Sequence, residues 1–124
     1  MYGVSGSGFV AAGVEGHLER VVDDSLVTRH VGGRGVFATP SMIMLMEQTA
    51  HRSVEDQLPE GYTTVGYEVC VRHLARVEPG SPVSVTSLLK EVQGNRLLFE
   101  VTCTRDGQLV GTGTHRRAVV PALS

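Results

Sequence analysis

Three polar side chains stand in apolar stretches of this 124-residue chain, and their types suit acid, base or proton-transfer chemistry. Glu47 follows five apolar residues, 42–46, and a buried carboxylate must find a partner or become protonated because an unpaired buried charge is costly. His73 falls on the apolar face predicted for a strand, and Thr39 stands where a helix N-cap belongs. Each has a structural alternative: an outward-pointing glutamate, a hydrogen-bonded core histidine, or a simple helix cap.

A helix must carry both Thr39 and Glu47. Pro40 suits a first helical position, and the pattern predicts a helix over residues 40–57. Residues 42–46 are apolar on every side, which predicts a helix buried all round, with a sheet on one side and a second subunit on the other. Eight positions separate Thr39 from Glu47, about 12 Å along a helix, so the two cannot reach one small group within a chain. A site shared between two subunits satisfies both requirements.

The remaining segments alternate with a period of two, which predicts strands. Residues 63–77 form one long strand with Val65, Tyr67 and His73 on its buried face. Tight turns are predicted between the later strands, so the last four should form an antiparallel meander. The fold class is therefore α+β, with an antiparallel sheet and one long helix. The other predicted strands cover residues 16–27, 82–92, 96–105 and 109–120, with a glycine-rich loop over 31–35.

Composition narrows the function. A net charge of -2 gives no general attraction to nucleic acid or an anionic membrane, and aromatic residues make up only 5% of the chain. We therefore predict a small ligand, no nucleic-acid or membrane partner, and no cofactor or metal. Cys70 and Cys103 lack metal-site spacing and are predicted to be free thiols packed as small hydrophobes, which favours a reducing, cytoplasmic location. A loose amino terminus, 1–14, is expected before a single domain, 15–121.

One glycine motif is rejected. Residues 33–38 match the G-x-G-x-x-A pattern of dinucleotide-binding proteins, but that pattern acts within alternating strand and helix units. Everything after residue 63 is predicted to be antiparallel strand instead.

Five short motifs occur between residues 36 and 119: VFAT at 36–39, LME at 45–47, VRH at 71–73, GTGTH at 111–115 and RAV at 117–119. Together they resemble the motifs of the fluoroacetyl-CoA thioesterase family, whose members have the hotdog fold. The resemblance implies a sheet wrapped around one long central helix, in a homodimer or a dimer of dimers. It also implies that Thr39, Glu47 and His73 form the catalytic set, and that Gly66 and Arg117 assist substrate binding.

The predicted reaction is hydrolysis of an acyl-CoA, or of a carrier-bound acyl thioester. Glu47 would serve as nucleophile or as general base, and the residue types do not choose between them. Arg117, together with Arg116, is a candidate to meet CoA phosphates, against the alternative of a solvated arginine pair. Two alternatives stay open: a hotdog hydratase or dehydratase, although the Asn-Pro expected near its active site does not occur, and a non-catalytic acyl-CoA-binding domain.

One segment departs from the family. Its fluoroacetyl-CoA enzyme has a longer segment before the VFAT motif, with phenylalanines that cover the acyl group, whereas residues 31–35 here are short and contain no aromatic ring. We therefore expect the chemistry to carry over but the strict preference for a fluorinated acyl group to be lost.

Overall fold

A computed structural model describes residues 10–123 of the chain. One helix and a five-stranded antiparallel sheet make up most of the fold, as predicted. A two-stranded ribbon precedes the helix. The elements are β1 (Glu15–Val21), β2 (Val27–Thr28), β3 (Val36–Phe37), α1 (Thr39–Glu55), β4 (Tyr62–His73), β5 (Pro82–Gln93), β6 (Arg96–Arg105) and β7 (Gln108–Pro121).

The helix α1 lies on one face of the sheet and ends within two residues of its predicted boundary. Ala38 is its N-cap residue, so the N-cap predicted at Thr39 is wrong by one position, and no side chain caps the helix start. The sheet covers one side of α1, whereas Met44 on the other side is 39% exposed in the single chain, so burial all round, which includes a second subunit, stays a prediction. The buried positions recur every three or four residues, as one helix face requires: Met42, Leu45, Met46, Thr49, Ala50 and Val54.

The strand order is β1-β5-β6-β7-β4. Strands β5, β6 and β7 form the predicted meander, whereas β4 pairs with β7 instead of β5. The turn at Pro79 and Gly80 does not close a hairpin. Instead the Gly80 amide donates to the carbonyl oxygen of Val22 beside β1, and the connection from β4 crosses to the far side of the sheet. Strand β4 is consequently an edge strand.

A bulge in β4 decides which of its side chains face the helix. Gly66 opposes Arg117 and Glu68 opposes Arg116, so two steps along β4 match one step along β7, and Tyr67 is the extra residue. One extra residue exchanges the two faces of a strand. Tyr67 and Val65, predicted to be buried, are therefore exposed, and Gly66 faces α1 together with His73 farther along the strand.

The segments before α1 differ in part from the predictions. The first strand ends at Val21, because a short 3₁₀ turn (Asp24–Leu26) follows, with the Asp23 carboxylate accepting a hydrogen bond from the Ser25 amide. The loose segment expected over residues 1–14 lies partly outside the described residues. Its described part packs on the fold: Val10 is buried, and the Gly13 amide donates to the Leu89 carbonyl.

Both cysteines are free thiols, as predicted, but only one of them is buried. Cys103 lies in the core, where burial raises the pKa of its thiol to about 11. Cys70 is exposed on the outer face of β4, so its predicted packing in the core is wrong.

Candidate active site

Thr39 and His73 meet at the start of α1. The Thr39 hydroxyl lies 2.7 Å from Nδ1 of His73, across 34 positions of sequence. Because Thr39 does not cap the helix, its hydroxyl is available for this contact. Phe37 packs edge-on against the imidazole, with the ring centroids 5.9 Å apart. Thr39 and His73 line an open cavity of about 310 Å³.

The surroundings of the His73 imidazole favour its neutral form. Burial lowers its pKa from the usual 6.5, and a backbone contact with Ala75 only partly opposes that effect. Its Nε2 atom is buried and has no hydrogen-bond partner within residues 10–123. A neutral imidazole with an unused ring nitrogen can accept or donate a proton at that atom.

Glu47 lies on the exposed stripe of α1, at a second cavity of about 320 Å³. Its side chain is 40% exposed in the single chain, so the burial predicted from sequence, which depends on a covering second subunit, stays a prediction. Oε2 lies 4.0 Å from Nε2 of His115. A carboxylate that faces both a cavity and the sheet can act on a group bound in that cavity. The cavity is lined by Met44, Glu47, Gln48, His51 and Arg117.

Arg117 lies beneath Glu47 and is only 7% exposed. Its Nε donates to the Thr64 hydroxyl at 2.8 Å, and Nη2 donates to the Thr64 carbonyl at 2.9 Å. Burial lowers the pKa of this guanidinium, whereas the carboxylates of Glu47 and Glu55 oppose the shift. An arginine held in this way is unavailable to phosphates at the surface, but it places a positive charge beside Glu47.

Arg116, predicted as a possible second phosphate ligand, points to the other face of the sheet. Its Nε donates to the Glu68 carboxylate at 3.1 Å, and both side chains are about half exposed. Consecutive residues of a strand face opposite sides, so Arg116 cannot join Arg117 in one site.

Gly66 leaves the space in which these groups meet. A β-carbon at this position would lie 3.0 Å from Glu47 Oε2, 3.0 Å from Arg117 Nη1 and 2.8 Å from His115 Cε1. Any side chain at position 66 would therefore displace the Glu47 carboxylate, the Arg117 guanidinium or the His115 ring. The close packing explains why the residue type at position 66 is glycine.

The predicted site residues form two clusters. Thr39 and His73 lie at the start of α1, while Glu47, Gly66 and Arg117 lie two turns later, at a separate cavity. Neither cluster contains all three groups of the predicted catalytic set. The structure of one chain therefore does not bring the predicted catalytic set together in one cluster.

The side chains that hold Arg117 are His115, Thr64 and His51. A spacing of two positions places His115 and Arg117 on one face of the last predicted strand, but sequence reasoning did not identify Thr64 or His51. His51 could have been found, because it follows Glu47 by four positions and shares its helix face. Thr64 could not be found, because a strict period of two places it on the outer face of β4.

Within residues 10–123, no group of three or more His, Cys, Asp or Glu side chains is placed to bind a metal ion. No helix in this range is long and apolar enough to cross a bilayer.

Comparison with known proteins identifies one family. The sequence profile described as fluoroacetyl-CoA-specific thioesterase matches residues 21–122. A curated relative, the fluoroacetyl-CoA thioesterase of Streptantibioticus cattleyicolor, is 40% identical over 85 residues. That match covers 68% of this chain but only 61% of the relative's length.

Solved structures agree with this match. The fluoroacetyl-CoA thioesterase FlK superimposes with a TM-score of 0.83 at 32% identity, covering 90% of this chain and 89% of the other. A thioesterase superfamily member from Thermus thermophilus superimposes with a TM-score of 0.83 at 30% identity, and the match covers 90% of this chain and 85% of the other. A hot-dog-like protein from Thermanaerovibrio acidaminovorans superimposes with a TM-score of 0.85 at 24% identity, and the match covers 94% of this chain and 88% of the other. The fold is therefore the hotdog fold, as the motifs implied.

Proposed function

The chain belongs to the family of fluoroacetyl-CoA-specific thioesterases, and we propose that it hydrolyses a small acyl thioester, of CoA or of a carrier protein, to the free acid and the thiol. The observation that carries this proposal is the pair of Thr39 and His73. A hydroxyl at a helix start, bonded to a neutral imidazole with an unused nitrogen, suits a carbonyl group in the adjoining cavity. The spacing of these residues matches the family's motifs.

The helix start supplies the electrophilic part of the site. Backbone N–H groups in the first turn of α1 carry partial positive charge, and the Thr39 hydroxyl adds a donor beside them. Donors aimed at a thioester carbonyl stabilise the negative charge that its oxygen gains during attack, and one such donor is typically worth about 3 to 4 kcal/mol.

Glu47 supplies the attacking group, by one of two routes. As a base, it takes a proton from water, the hydroxide adds to the carbonyl carbon, and the C–S bond breaks to release a thiolate. As a nucleophile, its carboxylate oxygen bonds to that carbon and forms an anhydride, which water then cleaves. On both routes His73 moves protons to and from the reacting oxygen and sulfur atoms. The buried positive charge of Arg117 stabilises the negative charge of the Glu47 carboxylate.

This site needs two subunits, because Thr39 and Glu47 are about 12 Å apart along one helix and cannot act on the same carbonyl group within one chain. The exposed face of α1 around Glu47 supports a dimer: Met44, three residues before Glu47, is a large apolar side chain that is 39% exposed. An isologous contact across this face places the Glu47 of one subunit near the Thr39 and His73 of its partner.

Sedimentation velocity at low micromolar concentration should therefore give a mass at least twice the 13.3 kDa of one chain. Burial of the apolar face is the driving force for this association. A Met44→Glu variant should shift the mass toward the monomer, whereas Leu109→Glu, at an exposed apolar residue of β7, should not. A folded wild-type monomer would contradict the shared site.

The acyl preference follows from the loop between β2 and β3. Residues 31–35 contain three glycines with positive φ and no aromatic ring, and Val31 is exposed. Phe37 is buried and packs against the His73 ring, so it does not close the cavity from above. This segment offers no apolar cover that could distinguish one fluorine atom from one hydrogen atom.

We therefore expect kcat/KM for fluoroacetyl-CoA to exceed that for acetyl-CoA by less than about tenfold, or 1.4 kcal/mol. A panel of acyl-CoAs of increasing size and polarity, followed by thiol release, tests both the activity and this preference. We expect hydrolysis of several members, with better activity on a larger or more polar acyl group. No hydrolysis of any member would refute the proposed function, and a preference of several orders of magnitude would show that another segment provides the missing cover.

A further inference from the structure

His115 is a buried histidine that the proposed mechanism does not use. It lies on β7, is 1% exposed, and stacks on Phe99 with the ring centroids 6.4 Å apart and the planes 30° apart. Its Nδ1 lies 2.9 Å from the carbonyl oxygen of Glu68, in the residue that follows the β4 bulge. Because a carbonyl oxygen only accepts, Nδ1 must carry the proton.

The other ring nitrogen of His115 faces Arg117. Nη1 of Arg117 lies 3.0 Å from Nε2 of His115, and a guanidinium only donates. Nε2 must therefore be an acceptor, so both contacts require the same neutral tautomer. Burial, and to a smaller extent the charge of Arg117, lower the pKa of His115, against the opposing effects of the Glu68 backbone and the Glu47 carboxylate.

The donors of Arg117 can be counted. Nε donates to the Thr64 hydroxyl, Nη2 faces the Thr64 carbonyl and Nδ1 of His51, and Nη1 donates to His115. Four of the five guanidinium N–H groups are thus engaged within the described residues, and the fifth is on Nη1. That nitrogen borders the space above Gly66, where Glu47 Oε2 also lies.

We propose that His115 is a positioning residue, which holds Arg117 so that its remaining Nη1–H points into the space between Gly66 and Glu47. This proposal deepens the proposed function and rests on it, because Glu47, beside which Arg117 is held, is the residue proposed to attack the thioester or to activate water. The His51 contact cannot replace His115, since it holds the opposite edge of the guanidinium, at 3.4 Å and from a side chain that is 37% exposed. Without the acceptor at Nε2, the planar guanidinium is held only along its Nε and Nη2 side, by Thr64 and His51, and it can tilt about that side toward the Glu47 carboxylate.

Two substitutions separate positioning from a purely structural role. His115→Gln places a side-chain oxygen near the position of Nε2 and can still accept from Arg117. His115→Asn places an amide nitrogen near the position of Nδ1 and keeps only the bond to the Glu68 carbonyl. We expect at least about a tenfold loss of kcat/KM in His115→Asn and a clearly smaller loss in His115→Gln, because misplacement of a group by about 1 Å can lower a rate substantially.

The readout is kcat/KM on the best acyl-CoA, together with the melting temperature of each variant. His17→Asn and His17→Gln, at an exposed histidine of β1, are the matched controls for the same residue changes. Equal losses in the two His115 variants, or a larger loss in His115→Gln, would overturn the positioning role.

A spectroscopic test does not depend on catalysis. The ¹⁵N chemical shifts of the His115 ring in the wild-type protein should report a neutral Nδ1–H tautomer at pH 7, and the Arg117 Nη1–H signals should be lost or broadened in His115→Asn but kept in His115→Gln. An Nε2–H tautomer or an imidazolium would refute the proposal. If the wild-type protein hydrolysed no acyl-CoA, the proposed function would fail while these shifts would still decide how His115 holds Arg117.

Discussion

Glu47→Gln is expected to lower kcat by roughly 100-fold or more. The amide keeps the size and shape of the side chain but can neither take a proton from water nor attack a carbonyl carbon. Because the wild-type side chain is 40% exposed in the single chain and its contact with His115 is as long as 4.0 Å, the substitution should leave the fold unchanged. Steady-state hydrolysis and thermal melting measure the two effects separately.

Glu100→Gln is the matched control for that substitution, because Glu100 is exposed on β6 and far from both cavities. It should retain wild-type turnover. If Glu47→Gln did so as well, neither the nucleophile nor the base role could be correct. Trapping of an acyl group on Glu47 in a rapid-quench experiment would favour the nucleophilic route.

His73→Ala is expected to reduce kcat by a similar factor, roughly 100-fold, because it removes both the proton carrier and the partner of the Thr39 hydroxyl. His73→Asn separates these two roles. Its amide occupies the position of Nδ1 and can keep the bond to Thr39, but it does not titrate. Near wild-type activity in His73→Asn would mean that His73 only positions the threonine.

The pH profile provides a second check on His73. Burial lowers its pKa below 6.5, so the neutral imidazole predominates at pH 7 and becomes protonated only at lower pH. Wild-type kcat/KM should therefore be constant near neutrality and fall in the acidic range below pH 6.5. A fall that begins well above pH 6.5 would contradict the neutral, buried imidazole.

Much of the fold could be predicted from the sequence, because the signals are local. The apolar spacing after Pro40 predicts α1 to within two residues, and the Gly-containing turns predict the β5-β6-β7 meander. Thr39, Glu47 and His73 could likewise be selected as candidate site residues, since each is a polar residue within an apolar stretch. The family resemblance, not the residue pattern, implied the roles of Gly66 and Arg117.

Other features depend on contacts between distant segments. The bulge at Tyr67 has no local signal, yet it exchanges the faces of β4, so that Gly66 faces α1 as His73 does. The edge position of β4 depends on which strand it pairs with, and a turn such as Pro79 and Gly80 does not determine that. The tautomer of His115 depends on two partners that belong to different strands.

The central claim is that each site combines Thr39 and His73 from one subunit with Glu47 from the other. Its most direct test is a mixed dimer of one Glu47→Gln chain and one His73→Ala chain, co-expressed with different affinity tags and purified through both. Such a dimer retains one intact site of two, so its thioester hydrolysis should recover to about half of the wild-type rate per dimer, although each parent dimer is nearly inactive. A mixed dimer as inactive as its parents would contradict the shared site.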